Sequence, residues 1–180
     1  MPYQADGSMW KSLNNFLPEY KADTGVGRHR RSLYTFWRRT TTPPNMMAFD
    51  AASRDVCAAR RTPTNTPLQP LVLMNDPQFV EAALALGRRI LKEGGTTVES
   101  RVAWAFREVS GRNPSGTELP LLVALFEEQQ AIFAADPSKA EALLKTGANA
   151  SADSLPPTDL AAAATTASAL YNLDASLMQR

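Results

Sequence analysis

The feature that most constrains this chain is a repeated start signal: a residue able to cap a helix stands immediately before proline at Thr66-Pro67, Asp76-Pro77 and Asp136-Pro137. A cap accepts free amide hydrogens of the first helical turn, and proline, which has none to offer, suits the position after it. Gly94-Gly95, Gly111 and Gly147 supply the matching stops, because glycine tolerates the left-handed backbone that ends a helix. The chain is thereby cut into short helical segments. No stretch shows the sustained alternation with β-branched residues that marks a strand. The expected fold class is all-α, with an irregular basic N-terminal segment followed by a multi-helix bundle of about five helices.

Thr66-Pro67-Leu68-Gln69 reads as a capping box, and Pro70 just beyond it limits that helix to a short one. Asp76 caps the next, which carries Phe79, Ala83, Leu86 and Ile90 on one face, Val80, Leu84 and Leu91 beside it, and Glu81, Arg88 and Lys92 toward the other side. The following helix starts near Thr96 or Thr97, with Glu99 three residues after Thr96. Its stripe is Val98, Val102, Phe106 and Val109, and Trp104 lies off it. Ser115 and Glu118 form a candidate box, but Pro120 then falls in the second turn. A start at Thr117 avoids the clash and lines Leu119, Leu122, Phe126 and Phe133 along a helix to about Ala135. Asp136-Pro137 opens a short helix with Ala140, Leu143 and Leu144. Residues 147–157 read as a loop, and Thr158 caps a last, alanine-rich helix. Alanine gives helix propensity but little area, so its docking is expected from Leu160, Leu170, Leu173 and Leu177.

The front is different. Residues 1–27 are polar and broken by glycine and proline, whereas RHRRSLYTFWRR (28–39) sets arginines around Leu33, Tyr34, Phe36 and Trp37. Asp50 is placed to cap a short helix that would bring Val56 and Cys57 to one face. Residues 1–61 hold ten Lys/Arg against five Asp/Glu, and residues 62–180 hold nine against thirteen, so a net charge of +1 conceals a basic front and an acidic back. Such a split suits either an anionic partner or two halves that pack by charge complementarity; the second is preferred.

One cysteine and one histidine, Cys57 and His29, exclude an internal disulfide, a tetrathiolate zinc site, a C-x-x-C-H haem attachment and a two-histidine metal motif. No apolar run reaches the roughly 20 residues of a membrane helix, and the N-terminus lacks the pattern of a secretory signal. The arginine-aromatic cluster has the residue types that bind nucleic acid by phosphate neutralisation and stacking. With no nucleic-acid motif around it, aromatics in a core and arginines paired with the acidic half are preferred, and nucleic acid is not an expected partner. Cys57 sits between Asp55 and Arg60-Arg61, where a cation could lower a thiol pKa, yet burial as a small apolar residue is the favoured reading. Asp50, Asp55, Asn75 and Asp76 lack the spacing of a calcium loop. There is no G-x-S-x-G elbow and no glycine-rich phosphate loop.

Six pieces of the sequence carry a resemblance: RRSLYTFWRRT (30–40), FDAASRDVC (49–57), RRTPTNTPLQ (60–69), NDPQFVEAA (75–83), GRNPSGTE (111–118) and SALYNLDASLMQR (168–180). In order and over residues 28–180 they resemble the C-terminal domain of unknown function of large secreted planctomycete proteins, where it commonly follows a cytochrome c-like domain. Pro70 stands where that pattern usually continues with alanine. The family's upstream helical half has no counterpart before RRSLY, so the chain reads as the C-terminal portion of a longer domain, preceded by the irregular segment 1–27.

The resemblance implies no reaction. It implies a periplasmic or extracellular setting, other domains of a longer parent protein as partners, and no cofactor in this chain, any haem lying in a separate domain. The expected role is a non-catalytic helical structural or interaction module. The alternative is an accessory part of an extracytoplasmic enzyme or electron-transfer assembly whose chemistry lies in absent domains. Arg30, Arg31, Asp50, Arg54, Arg60, Arg61, Asn65 and Gln69 are the polar residues of the matching motifs and hence the candidates for a site; a hydrogen-bonded structural network is their preferred role. A missing half would expose apolar surface and promote self-association.

Overall fold

The computed structural model describes residues 31–34, 42–52, 57, 59–60, 62–146 and 154–177, and all regular structure among them is helical. The chain divides into two units, residues 1–72 and 73–180. In the first, a single 3-10 turn covers Ser32–Tyr34, α1 runs Pro44–Ala48, and α2, Leu68–Asn75, begins before the division and ends after it. The second contains α3 (Pro77–Glu93), α4 (Val98–Ser110), α5 (Glu118–Ala135), α6 (Pro137–Leu144), α7 (Pro157–Tyr171) and the one-turn α8 (Asp174–Leu177). The five longer helices of the second unit meet the expectation of an all-α bundle.

α3 forms as its sequence directs. The Asp76 carboxylate accepts from the Gln78 amide at 2.8 Å, Pro77 occupies the first position, and Gly95, at φ 95°, supplies the left-handed residue after the last turn. Ala83, Leu84, Leu86 and Ile90 are buried. Glu81, expected on the outer side, is buried as well. The face that enters the core is therefore wider than the apolar stripe.

Two starts are decided among the alternatives that the sequence leaves open. α4 is capped by Thr97 rather than Thr96: its hydroxyl accepts from the Ser100 amide at 3.2 Å, and the Ser100 hydroxyl in turn accepts from the Thr97 amide at 3.3 Å. Ser100, not Glu99, completes the box. For α5 the two alternatives coexist. The helix begins at Glu118, with Pro120 harmless as its third residue, yet Ser115 and Glu118 still make the reciprocal box. Residues 116–117 form a turn instead of helix, which keeps Pro120 out of a second helical turn. Gly111 closes α4 at φ 74°.

α7 departs furthest from what its sequence leads one to expect. Thr158 is its second residue rather than its cap, that place being taken by Pro156, whose carbonyl accepts from the Leu160 amide. The helix stops at Tyr171, and α8 follows after Asn172-Leu173. Its alanines do more than favour helix. Ala161, Ala162, Ala163, Ala164 and Ala167 are all buried, beside Leu160 and Leu170, because α7 is the centre of the unit and touches α3, α4, α5 and α6. Leu173 packs at the edge of this core. The Thr165 and Thr166 hydroxyls, unable to reach water freely, donate to the carbonyls of Ala161 and Ala162, four residues back.

Small side chains let helix axes approach. Gly87, in the middle of α3, lies against Ala163 and Ala164 in the middle of α7. The Tyr171 hydroxyl, at the end of α7, donates to the Ala82 carbonyl near the start of α3 at 3.3 Å. The two helices therefore run antiparallel with backbones in close contact. Phe106 from α4 and Phe126 and Phe133 from α5 fill the remaining volume. Each such buried side chain contributes on the order of 1.5–3 kcal/mol by leaving water.

Candidate functional site

The motif residues singled out by sequence fall mostly in the first unit, where one knot is defined. Asp50 follows α1 and has φ 57°, a left-handed conformation that aspartate tolerates better than most residues. Its carboxylate accepts from both donors of Thr64: the amide at 2.6 Å through Oδ2 and the hydroxyl at 2.7 Å through Oδ1. The Gln69 side-chain amide then donates to the Thr64 carbonyl at 2.9 Å. Thr64 is thus held on both sides, and through it the turn after α1 is fixed to the first turn of α2. These two donors to the carboxylate, the backbone amide first, hold the Asp50 carboxyl below the usual carboxylate range.

This knot revises three expectations. Asp50 does not cap a helix, because residues 51–52 and 57 are irregular and its carboxylate is occupied fourteen residues away. Cys57 is exposed rather than buried. Gln69 is buried but does not return to the Thr66 amide as a capping box requires; its side chain reaches Thr64 instead, while its own amide bonds the Thr66 carbonyl. Of the remaining candidates, Arg31, Arg60 and Asn65 are exposed. Arg30, Arg54 and Arg61 lie outside the described residues. So do Phe36 and Trp37, whereas Leu33 and Tyr34, expected in a core, are exposed on the 3-10 turn.

The second unit holds polar clusters that sequence reasoning did not assemble. Arg112, just past α4, donates to both oxygens of Glu118 at 2.8 and 2.7 Å and places its guanidinium 4.7 Å from the centre of the Phe106 ring. Ser115 adds its amide to the same carboxylate. Arg112 first, and Ser115 next, push the Glu118 carboxyl far below its ordinary range. Arg89 on α3 donates to Glu93 at 2.9 Å and to Glu108 of α4 at 3.0 Å, and stands 4.9 Å over the Trp104 ring. That explains the place of Trp104 off the main stripe: it covers the α3–α4 seam under a cation. A signal was present in the sequence, as Arg89 and Glu93 are four apart on one helix.

These arrangements satisfy carboxylates with cations and amides already in the fold. Of the three acids that lack the spacing of a calcium loop, Asp50 is engaged by Thr64 and Asp76 by the first turn of α3, and Asp55 lies outside the described residues. Burial raises the Asp76 carboxyl pKa, against the opposing pull of the Gln78 amide. Among the described residues no group of three or more His, Cys, Asp or Glu is placed to hold a metal ion, and no helix is long and apolar enough to cross a membrane. What the surface does offer is apolar. On α2, Leu68, Leu71 and Met74 stand in a row, 61%, 53% and 53% exposed, on the side away from buried Gln69 and Leu73.

The family described as PSD1, protein of unknown function (DUF1553), matches residues 2–126. The match takes in residues 2–27, which the shared motifs leave out, and ends within α5, ahead of SALYNLDASLMQR. No curated protein and no solved structure matches the chain significantly. With well over half of its length inside the match, the chain belongs to the DUF1553 family of proteins of unknown function.

Proposed function

We propose that this chain is a non-catalytic helical module from the C-terminal end of a larger secreted protein of the planctomycete type, and that it works by holding other domains of that protein. The observation that carries this reading is the row of Leu68, Leu71 and Met74 on α2. Apolar side chains spaced three apart on one helical face, more than half exposed, are what a helix presents to a partner. The Asp50–Thr64–Gln69 knot supports it, because it fixes the first turn of α2 and so presets the direction of that face. The reading assigns no cofactor to this chain, leaves any haem to a separate domain, and sets the parent protein outside the cytoplasm.

The test is the size and location of the native polypeptide. Cells that make it are fractionated and probed with an antibody raised against residues 62–146. The expected result is a species much larger than 19.6 kDa in the extracytoplasmic fraction. A band of 19.6 kDa confined to the cytosol overturns the proposal.

A further inference from the structure

The outward face of α5 carries a surface of a different kind. At about 100° per residue, Leu121, Leu125, Glu128, Ile132 and Ala135 fall along one line of this helix, opposite Phe126 and Phe133, which enter the core. Leu121 is 72% exposed and Ile132 42%. No lysine or arginine occurs anywhere in α5. Of its three acids, Glu118 is taken by Arg112, whereas Glu127 and Glu128 are exposed and have no ion-pair partner among the described residues.

We infer that this face docks a cationic amphipathic helix of a partner protein, with leucine-like side chains at i, i+4, i+7 and i+11 and lysine or arginine beside them. The inference rests on the module reading above and names the chemistry of one partner. Apolar spacing alone would equally suit a second copy of the chain, but charge separates the two. The line is nearly symmetric about Glu128. An antiparallel copy would therefore set Glu128 against Glu128, with Glu127 close by, and a parallel copy in register would do the same. Like charges facing each other in a contact oppose it, while a basic helix turns the same carboxylates into attraction and fixes its own register. An anionic membrane surface is disfavoured for the same reason.

The probe is a synthetic amphipathic helix of leucine, alanine and lysine with that spacing, paired with a counterpart in which glutamate replaces lysine. Each is titrated against the full chain by fluorescence anisotropy. The lysine peptide is expected to bind and the glutamate peptide to bind at least about tenfold more weakly. Leu121→Ser with Ile132→Ser should weaken the lysine peptide roughly tenfold or more. Glu127→Lys with Glu128→Lys should reverse the preference between peptides. All four positions are at the surface, so unchanged circular dichroism and melting confirm that the variants fold. Absence of binding by the lysine peptide, or binding that neither pair of substitutions alters, overturns the inference. So does dimerisation of the unsubstituted chain that Leu121→Ser abolishes, since that puts a second copy on the face. None of these failures touches the size and location of the native polypeptide, which decide the module reading separately.

Discussion

Gly87 on α3 lies so close to Ala164 on α7 that a methyl group added at position 87 would sit 2.9 Å from the Ala164 amide nitrogen and 3.1 Å from its Cα. The obstacle is backbone, which cannot rotate aside as a long side chain can. In an exposed helix Gly87→Ala would gain roughly 1 kcal/mol from better helix propensity. Here it must push two axes apart, at about 1–3 kcal/mol. The expected net effect is a loss on the order of 1 kcal/mol, and a much larger one for Gly87→Leu. Urea unfolding of both variants checks this. A more stable Gly87→Ala chain would contradict the close approach of α3 and α7.

Two apolar residues of α5 should respond very differently to truncation. Phe126 is fully buried among α4 and α7 side chains, and Phe126→Ala should cost about 3–5 kcal/mol. Leu121→Ala, on the outward face, should change stability by no more than roughly 0.5 kcal/mol. Equal losses at the two positions would mean that the face of α5 has been assigned wrongly.

The start of α4 distinguishes two adjacent threonines. Thr97→Ala removes the acceptor for the Ser100 amide and should destabilise the chain by about 1 kcal/mol. Thr96→Ala removes no cap and should lie within roughly 0.5 kcal/mol of the parent. Thermal unfolding read by circular dichroism reports both, and the reverse ranking would restore Thr96 as the cap.

Asp50 should make the first unit sensitive to acid. Its carboxyl pKa is lowered in the fold by the Thr64 amide and then the Thr64 hydroxyl. A lowered folded-state value means that the carboxylate stabilises the fold at pH above the unfolded value, near 3.8, and that this support is lost as pH falls through the folded value. An NMR titration following the Thr64 amide should give a midpoint below 3.8. In Asp50→Asn the same amide should show no such transition. A midpoint at or above 3.8 would remove Asp50 as its partner.

Local chemistry made the helix ends of the second unit legible and left the contacts between helices hidden. The two ends of α3 could be read, since Asp76, Pro77 and Gly95 act within a turn of the residues they affect. The cap of α4 stays open between Thr96 and Thr97 in the sequence, because each has a polar residue three places on, Glu99 and Ser100, and the fold selects Thr97. The burial of the α7 alanines was not legible, because alanine reports helix propensity by itself and burial only through neighbours supplied by α3, α4, α5 and α6. Gly87 likewise reads as a weak point in a helix until Ala164 is placed against it. At the candidate site, Asp50 and Thr64 are fourteen residues apart in irregular chain. No period links such a pair, so the motif residues could be named while their partners could not.

The alanine run of α7 also bears on the entropy of folding. A buried leucine or methionine gives up rotamer freedom when it is ordered, at up to about 1–2 kcal/mol, whereas alanine has no rotamer to lose. Ala161 through Ala164 and Ala167 occupy the middle of the second unit, so the most enclosed part of the protein becomes ordered once the backbone of one helix does. The ordering of side chains falls instead on the ring around it, on Phe106, Phe126, Phe133 and Ile90, and substitutions there, more than at the centre, will set how sharply the unit melts.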